Sequence, residues 1–417
     1  MCPPIHPDLS STTRSPRWAI VSTYPPTACG IATFTRSLVS ALAGRGAQVD
    51  VVRAVDAGDS WSAPGVVHGL VAGEHPGAAA ARLNQYDTVV VQHEYGIYGG
   101  ADGADLLTLL DRLTVPVLTV LHTVLSNPTA HQHSVLRAVV NASDVLVTMT
   151  RTARRRLIDG YHVDPATVLV IPHGAADQLV SGPGPVAATA ADRTPASIAP
   201  RSPGDASFAA PPRRPIVLTW GLLGKGKGIE WGIEAMAALH DLDPRPIYVV
   251  AGQTHPRVLA HEGEAYRRRL ESRARALGVD GDVVFDNDYL DAERLHRLVH
   301  TADVVLLPYD SRDQVTSGVL SEAVAAGRPV VSTSFPHAVE LLEGGMGLLV
   351  DQRDPAGIAS ALRRILTEPG LAARLSARTQ ALAPELSWHT VAGTYLAAGE
   401  SISARSASRL NAVTVSA

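Results

Sequence analysis

The residues best suited to chemistry in this chain lie on a short loop and the helix that follows it. Residues 303–307 form an apolar, strand-like run, small polar residues come next, and a predicted helix at 319–326 carries Glu322. The free N–H groups at a helix N-terminus carry partial positive charge and suit a phosphate, while a carboxylate further along can accept hydrogen bonds from sugar hydroxyls. A diphosphate and a sugar bound by one loop and helix indicate a nucleotide-sugar site.

Glu322 also has a purely structural interpretation, in which a buried strand is followed by a helix with one surface glutamate. The surrounding residues 319–327 are otherwise small and apolar. A lone carboxylate on such a helix is costly unless something satisfies it, so the pattern favours contact between Glu322 and a ligand.

A second candidate segment runs from Gly221 to Gly228, between a strand-like run and a predicted helix at 229–240. Its two lysines, Lys225 and Lys227, stand among glycines at the helix start, where they can neutralise a diphosphate. The segment is not a Walker phosphate loop, because Gly-x4-Gly-Lys-Ser/Thr is absent. A solvated basic turn is the alternative interpretation; for phosphate binding, Lys227 is favoured over Lys225.

Polar segments also follow three strand-like runs in the first half of the chain. Gly30 and Thr33 lie where the first strand gives way to a helix, so that the backbone and the first helical N–H groups can approach an anion. His93 and Glu94 precede a glycine-rich run at the end of a later strand, as in many binding loops, and His122 follows the next strand. We expect His93 and Glu94 in an acceptor site and His122 facing a cleft. A tight turn, a surface His-Glu pair and a structural histidine are the respective alternatives.

The bulk properties exclude several classes of protein. The chain has 417 residues, 46% of them hydrophobic and 18% charged, with a net charge of −4. The length favours two globular domains, and the charge gives no reason to expect nucleic-acid binding. Two cysteines form neither a disulfide framework nor a metal-ligand pair, and the N-terminus does not resemble a signal peptide, so we expect a cytoplasmic protein. No apolar run approaches the roughly 20 residues of a membrane span; the basic run Arg151–Arg156 leaves peripheral membrane contact open.

Strand-like runs alternate with helical patterns along the whole chain, six in each half. Buried β-branched strands that alternate with helices predict parallel sheets covered on both faces, and two such series predict two doubly wound α/β domains. Ligands bind such domains at the carboxyl ends of the strands, where the polar segments lie. The expected divisions are a disordered N-terminus at 1–16, a Rossmann-like acceptor domain at 17–177, a Pro/Ala/Gly-rich linker at 178–214, a Rossmann-like nucleotide-sugar domain at 215–385, a helix crossing back to the first domain at 386–400, and a flexible tail at 401–417.

Two C-terminal motifs resemble those of the family 4 retaining glycosyltransferases. Gly221 and Lys227-Gly228 match the family's Gly-Arg…Lys-Gly phosphate motif, and Gln314 and Glu322 match its two glutamates, which lie eight positions apart. The resemblance extends over most of the chain, including an Ile-Pro-His-Gly segment before the linker and a Leu-Ser-Trp segment before the closing helix. It implies the GT-B fold, in which two Rossmann-like domains face each other across a cleft.

The chain departs from the family pattern at three positions. The family's arginine after Gly221 is Leu222 here, so one phosphate contact is lost or transferred to Lys225. The first glutamate is Gln314, which can donate and accept hydrogen bonds but carries no charge. The loop glycine is displaced to Gly318. Binding of donor-sugar hydroxyls survives the change at Gln314, whereas a role that needs a carboxylate does not.

The resemblance implies an enzyme that moves a sugar, a hexose such as mannose or glucose, from a nucleoside diphosphate sugar to a carbohydrate or other hydroxyl acceptor, with retention at the anomeric carbon. No cofactor or metal ion is implied, since lysines neutralise the diphosphate, which itself deprotonates the acceptor. The implied catalytic residues are His122, Lys227 and Gln314. The implied donor-binding residues are Gly30, Lys225, Lys227, Gly252, Gln314, Ser317, Gly318, Val319 and Glu322. The implied acceptor-side residues are Thr33, His93 and Glu94.

Within that set, Glu322 is expected to bind the ribose, Gln314 the sugar hydroxyls, and Lys227 the diphosphate. Three other functions stay open. A non-catalytic nucleotide-sugar binding protein is favoured by Gln314 and disfavoured by Lys227, Glu322 and His122. A sugar-nucleotide epimerase of the same fold would form product without an acceptor, and a phosphorylase would need inorganic phosphate.

Overall fold

The computed structural model of the protein describes residues 15–180, 213–288 and 290–415, with side chains up to residue 405. The predicted disordered N-terminus (1–16) and linker (178–214) lie almost wholly outside these residues. Within them, two parallel sheets alternate with helices.

The first sheet has seven strands and comes from the N-terminal part of the chain. Its strands lie in the order β3-β2-β1-β4-β5-β6-β7, and every neighbouring pair is parallel. The strands are β1 (Arg17–Ser22), β2 (Gln48–Val55), β3 (Val66–Val71), β4 (Thr88–His93), β5 (Val117–Leu121), β6 (Val145–Thr148) and β7 (Val168–Val170). The helices are α1 (Gly30–Gly44), α2 (Gly77–Leu83), α3 (Asp105–Leu110), α4 (Ala130–Asn141), α5 (Arg151–Tyr161) and α6 (Asp177–Val180).

The second sheet has six strands, again all parallel, in the order β10-β9-β8-β11-β12-β13. Its strands are β8 (Ile216–Trp220), β9 (Ile247–Ala251), β10 (Val283–Asp286), β11 (Val304–Leu307), β12 (Val330–Thr333) and β13 (Leu348–Val350). The helices are α7 (Ile229–Ala237), α8 (Pro256–Glu262), α9 (Ala265–Ala276), α10 (Ala292–Thr301), α11 (Gly318–Ala325), α12 (Pro336–Leu341), α13 (Pro355–Thr367), α14 (Leu371–Leu386) and α15 (Trp388–Val415).

Burial on both faces explains why these sheets are parallel and why their strands can be read from the sequence. In β1, Trp18 and Ile20 belong to one hydrophobic cluster, while Ala19 and Val21 belong to another. Alternate residues of a strand point to opposite faces, so helices cover this sheet on both sides. Strands buried in this way read as continuous apolar runs. The predicted fold class, two doubly wound α/β domains, is confirmed.

Each sheet has one point where the order of strand addition reverses. After β1 the chain adds β2 and β3 on one side and then places β4 on the other side of β1; after β8 it adds β9 and β10 and then places β11 on the other side of β8. Ligands of doubly wound domains bind at such points, outside the carboxyl ends of the strands. The polar segments after β1, β4, β8 and β11 flank these two points.

The last helices return from the second sheet to the first. The Ala175 N–H donates to the Leu386 carbonyl oxygen, at the end of α14, over 2.7 Å. The next helix, α15, packs along α1, and its residues Trp388 and Tyr395 share a hydrophobic cluster with Trp18. The closing segment is therefore part of the core of the first domain.

The C-terminal segment 401–417 differs from its prediction as a flexible tail. In the structure α15 continues through Val415, so the helix predicted at 386–400 and most of the predicted tail form one helix. Ile402 explains the extension, because its side chain is 2% exposed and belongs to the same cluster as Trp18. Among residues 401–405 Ile402 is the only large apolar side chain, so this stretch gives no helical period to read.

Candidate functional site

The loops after β8 and β9 approach each other through two glycines. Gly221 and Gly252 have φ angles of +115° and +133°, and a Cβ atom on Gly252 would lie 2.1 Å from the Gly221 carbonyl oxygen. The structure thus gives Gly252, predicted as a donor contact, a packing role. A Cβ atom on Gly221 would meet only Val319 Cγ2, at 3.6 Å. The loop after β8 therefore lies against the first turn of α11.

The same loop places Lys227 over an aromatic ring. Gly228 precedes α7 with a φ of +62°, and a Cβ atom there would lie 1.8 Å from the Pro308 carbonyl oxygen, so only glycine permits this contact. The Lys227 Nζ atom lies 4.3 Å from the centroid of the Tyr309 ring, a cation–π geometry. Tyr309 is fully buried and stacks on Phe335. Among the described residues no carboxylate lies within ion-pair distance of Lys227, so its charge is available to an anion.

Lys225, two residues earlier, has a different partner. Its Nζ atom pairs with Glu262 Oε1 at 2.8 Å, and 68% of the lysine side chain is exposed. The Lys225 ammonium is therefore already neutralised at the surface. The structure places Lys227 over the ring of Tyr309 and pairs the other predicted phosphate ligand with a carboxylate.

The N-terminus of α11 has free backbone donors. Ser317 caps the helix, and its own N–H donates to His337 Nδ1 at 2.8 Å. The N–H groups of Gly318 and Val319 are the first two of the helix and have no intrahelical acceptor. A Cβ atom on Gly318 would lie 2.8 Å from the His173 ring, so glycine lets the first domain approach this helix closely. The arrangement suits a phosphate.

Glu322 lies on α11 and is short of hydrogen-bond partners. Its side chain is half-buried, and its one described hydrogen bond comes from the Trp220 indole N–H, at 3.2 Å to Oε2. Burial raises the pKa of Glu322 to about 7, while the Trp220 hydrogen bond acts in the opposite direction. A carboxyl group in this state gains most from a ligand that supplies donors, as two ribose hydroxyls would. The alternative interpretation, in which Glu322 is a solvated surface glutamate, does not agree with this half-buried position.

Gln314 lies in the loop between β11 and α11. Its side-chain Nε2 donates to the Thr316 carbonyl oxygen at 3.2 Å, and its backbone carbonyl oxygen accepts from the His337 N–H at 3.3 Å. The side chain is half-buried. Because the bond made by the amide is local, the amide can exchange it for contacts with ligand hydroxyls.

In the first domain, His122 is a neutral histidine whose ring is fixed by contacts with neighbouring side chains. Its Nε2 atom lies 2.7 Å from Gln92 Oε1, and its ring meets Phe34 edge-on at 4.9 Å between centroids. Burial lowers the pKa of His122 to about 3, with smaller contributions from His173 and His93. Gln92 thus holds the ring of His122 through its side-chain amide. His122 can therefore hydrogen-bond a ligand but does not act as an acid near neutral pH.

Two members of the predicted acceptor set, His93 and Glu94, differ in exposure. His93 is 1% exposed, burial lowers its pKa to about 4, and its Nδ1 atom has no described partner. Its side chain thus lies beneath the surface, which does not agree with its predicted place in an acceptor site. Glu94 is half-buried and accepts from the Thr123 hydroxyl and the Tyr95 N–H. Burial raises the pKa of Glu94, and these bonds oppose the rise.

Gly30 and Thr33 lie at the open N-terminus of α1. Both are exposed, and a Cβ atom on Gly30 would meet nothing within 4 Å. Cys29 caps the helix through its Sγ atom, which accepts from the Ala32 N–H at 3.3 Å. The Thr33 hydroxyl donates to the Cys29 carbonyl oxygen at 3.4 Å. This segment faces solvent, and nothing in it obstructs a ligand.

Sequence reasoning missed the part played by His173 and His337. The first touches Gly318 from the other domain, and the second binds the Ser317 N–H. Burial lowers the pKa of His173 to about 4 and that of His337 to about 3, so both are neutral. The signal for His337 was its position just after β12, at a strand's carboxyl end like the other site segments.

A groove on the first domain lies beside these elements, between α4, α5 and the loop that follows His122. Its volume is about 540 Å³. Polar groups that line it include the hydroxyls of Ser126 and Thr152 and the guanidinium groups of Arg155 and Arg156. Two of the four arginines in the basic run Arg151–Arg156 form ion pairs with protein carboxylates: Arg151 with Glu340, and Arg156 with Asp313.

Family models match both halves of the chain. The model described as "Glycosyltransferase Family 4" matches residues 28–178, and the one described as "Glycosyl transferases group 1" matches residues 214–368. Together the two ranges make up most of the chain and coincide with the two sheets. The chain therefore belongs to the group 1, family 4 glycosyltransferases, and it is a glycosyltransferase enzyme.

Individual relatives agree with that assignment. A D-inositol 3-phosphate glycosyltransferase of Xylanimonas cellulosilytica is 28% identical over 92% of this chain and 96% of its own length. A glycogen synthase of Mycobacterium tuberculosis is 30% identical over 41% of this chain and 39% of its own length. Among solved structures, the Anabaena protein HepE in complex with UDP and glucose superposes with a TM-score of 0.69 at 15% identity, over 92% of this chain and 99% of HepE. The structural likeness shows the GT-B fold.

In the part of the chain that the structure describes, no helix combines the length and the apolar character needed to span a bilayer.

Proposed function

We propose that the enzyme transfers a hexose, glucose or mannose, from a nucleoside diphosphate sugar to a hydroxyl of a carbohydrate or other small-molecule acceptor, with retention and without a metal ion, in the cytoplasm. The observation that carries the proposal is the placement of Lys227. Its ammonium has no described carboxylate partner and lies over Tyr309, in a loop that packs on the first turn of α11. That helix also carries Glu322. One loop and helix therefore offer a cation, free N–H groups and a carboxylate that can accept hydrogen bonds from hydroxyl groups.

The leaving diphosphate gains negative charge as the glycosidic bond breaks. Lys227 and the N–H groups of Gly318 and Val319 stabilise that charge, and such fixed donors supply the largest share of catalysis in many enzymes. Glu322 accepts the ribose hydroxyls, and Gln314 binds the hydroxyls of the transferred sugar. These positive groups take the place that a metal ion holds in other transferases.

The acceptor is placed on the first domain. His122 is neutral at working pH and supplies a hydrogen bond without taking up a proton. Glu94 lies on the neighbouring strand end, bonded to the residue after His122. The diphosphate oxygen released from the sugar removes the acceptor proton, which explains why no protein base is needed. The groove beyond Ser126 offers room for the distal part of an acceptor.

The test is a titration of the purified protein with UDP, GDP and ADP, and then with their sugars, without added metal. HepE was solved with UDP and glucose, so UDP is the first nucleotide to try. Binding of one nucleotide in the wild-type protein and its loss in Lys227→Ala supports the donor site. A folded wild-type protein that binds none of them contradicts it.

The reaction itself is followed with the sugar of the nucleotide that binds. The anomeric configuration of the transferred sugar in the glycoside product, read by proton NMR and compared with that of the donor, decides between retention and inversion. Product that forms without any acceptor would favour an epimerase or hydrolase over a transferase.

A further inference from the structure

A short segment of the second domain, residues 313–317, is held by the first domain. Val315 is 1% exposed, and its side chain belongs to a hydrophobic cluster whose other buried members all come from the first domain, among them Leu121, Val124 and Leu157. A valine from a loop between β11 and α11 thus completes the core beneath β5 and α5. Burial of this kind is stable only while the two domains are in contact.

A second contact lies two residues earlier. Asp313 Oδ1 accepts from the Ser126 hydroxyl at 2.5 Å and from the Ser126 N–H at 3.3 Å, and it lies 3.2 Å from Arg156 NH1. Ser126 and Arg156 both belong to the first domain. Gln314 is therefore flanked on each side by a residue whose side chain is anchored across the cleft.

Helix α12 ties this segment to the anion site. The His337 N–H donates to the Gln314 carbonyl oxygen and its Nδ1 atom accepts from Ser317, so one side chain and its backbone fix both ends of the segment. Three residues later, Glu340 accepts from the N–H groups of Arg151 and Thr152, at 2.7 and 2.9 Å, and so caps α5 of the first domain. The loop, the helix N-terminus and the domain contact form one connected unit.

We propose that Val315 and Asp313 are positioning residues that hold Gln314 against the donor sugar only while the domains are closed. The inference rests on the proposed function. When the domains separate, Val315 enters water and the segment loses both anchors, so the nucleotide can still bind through Lys227 and Glu322 but the sugar loses its contact. The enzyme thereby couples recognition of the sugar to contact with the acceptor domain.

The experiment compares Val315→Ala with the wild-type full-length protein. Removal of two buried carbons weakens the anchor about tenfold. We expect the Kd for UDP, or for whichever of UDP, GDP and ADP the protein binds, to change by less than about twofold. The additional affinity for the corresponding nucleotide sugar and the kcat should each fall about tenfold, and small-angle scattering should show a larger radius of gyration.

Val339→Ala is the matched control, because Val339 lies on α12 but is 46% exposed. It should leave all of these quantities at wild-type values. Asp313→Asn, which keeps size and weakens the contact with Arg156, should shift the same quantities as Val315→Ala. Equal loss of nucleotide and nucleotide-sugar affinity in Val315→Ala, or no change in either, would overturn the proposal.

Failure of the proposed function has a different signature. If the wild-type protein binds none of the three nucleotides, the donor assignment fails, yet scattering still decides whether Val315 holds the domains together. A Val315→Ala variant with wild-type dimensions would then refute the anchor on its own.

Discussion

Replacing Glu322 by glutamine should stabilise the ligand-free protein while weakening its binding of nucleotide. Burial raises the pKa of Glu322 from 4.5 to about 7, so the folded protein holds this proton more tightly than the unfolded chain does. The favourable contribution is therefore complete below about pH 4.5 and is lost as the pH rises through about 7. At about 1.4 kcal/mol per pH unit, ionisation of Glu322 costs the fold about 2–3 kcal/mol near pH 8, since the side chain is only half-buried. Glutamine avoids this cost and can keep the hydrogen bond from Trp220.

The assay is thermal unfolding of both proteins near pH 5 and near pH 8, with nucleotide titration alongside. About 2–3 kcal/mol corresponds to about 5–10 °C for a domain of this size. We expect the variant to melt higher by that amount near pH 8 and almost level with the wild type near pH 5. Its nucleotide affinity should fall about ten- to hundredfold, because charge-assisted hydrogen bonds to the ribose are lost. Glu293→Gln is the control, since that side chain is 83% exposed. Equal melting temperatures at both pH values would refute the reasoning about burial, and unchanged affinity would remove the ribose assignment.

Three further outcomes test the rest of the donor site. Lys227→Ala should lower kcat about a hundredfold or more, with little change in melting temperature. Lys225→Ala should change kcat less than about twofold, because the Lys225 ammonium pairs with Glu262 at the surface. The reverse order of the two effects in a kinetic assay would move the phosphate site to Lys225. Gln314→Glu should bind the nucleotide sugar within about tenfold of the wild type if this residue only contacts hydroxyls, and a collapse of that binding in calorimetry would contradict the role. Treatment with EDTA should leave turnover unchanged, since Lys227 and helix N–H groups carry the positive charge; lost activity that Mg²⁺ restores would show a metal requirement.

The sheet architecture could be predicted because most of its strands are buried on both faces and stand out as apolar runs. The edge strand β3 (Val66–Val71) was the exception and was not predicted. It is mostly half-buried, and it carries His68 and Gly69, so its composition does not stand out from a loop. The helix beyond residue 400 could not be predicted for a related reason, since its contacts are with the first domain: Ile402 packs in the core around Trp18, and Ser403 hydrogen-bonds to Thr88 and Asp87.

For the candidate site, local sequence signals predict the segments but not the partners of each side chain. Lysines among glycines at a helix start predict a phosphate loop, yet only the fold shows that Lys225 meets Glu262 while Lys227 meets Tyr309. A histidine at a strand end can face a ligand or the core, and His93, the last residue of β4, is buried at 1% exposure. The anchor through Val315 has no sequence signal at all, because its partners lie in the other domain.

Two of the three departures from the family's donor motifs, those at positions 222 and 314, are best understood together. Leucine at position 222 removes one positive charge from the phosphate region, and glutamine at 314 removes one negative charge from the sugar region. In the proposed donor site the two changes offset each other, so the net charge of the site is the same as with the family's arginine and glutamate. Lys227 and the N-terminus of α11 then supply the positive charge of the proposed site. Glutamine at position 314 is therefore consistent with an active transferase.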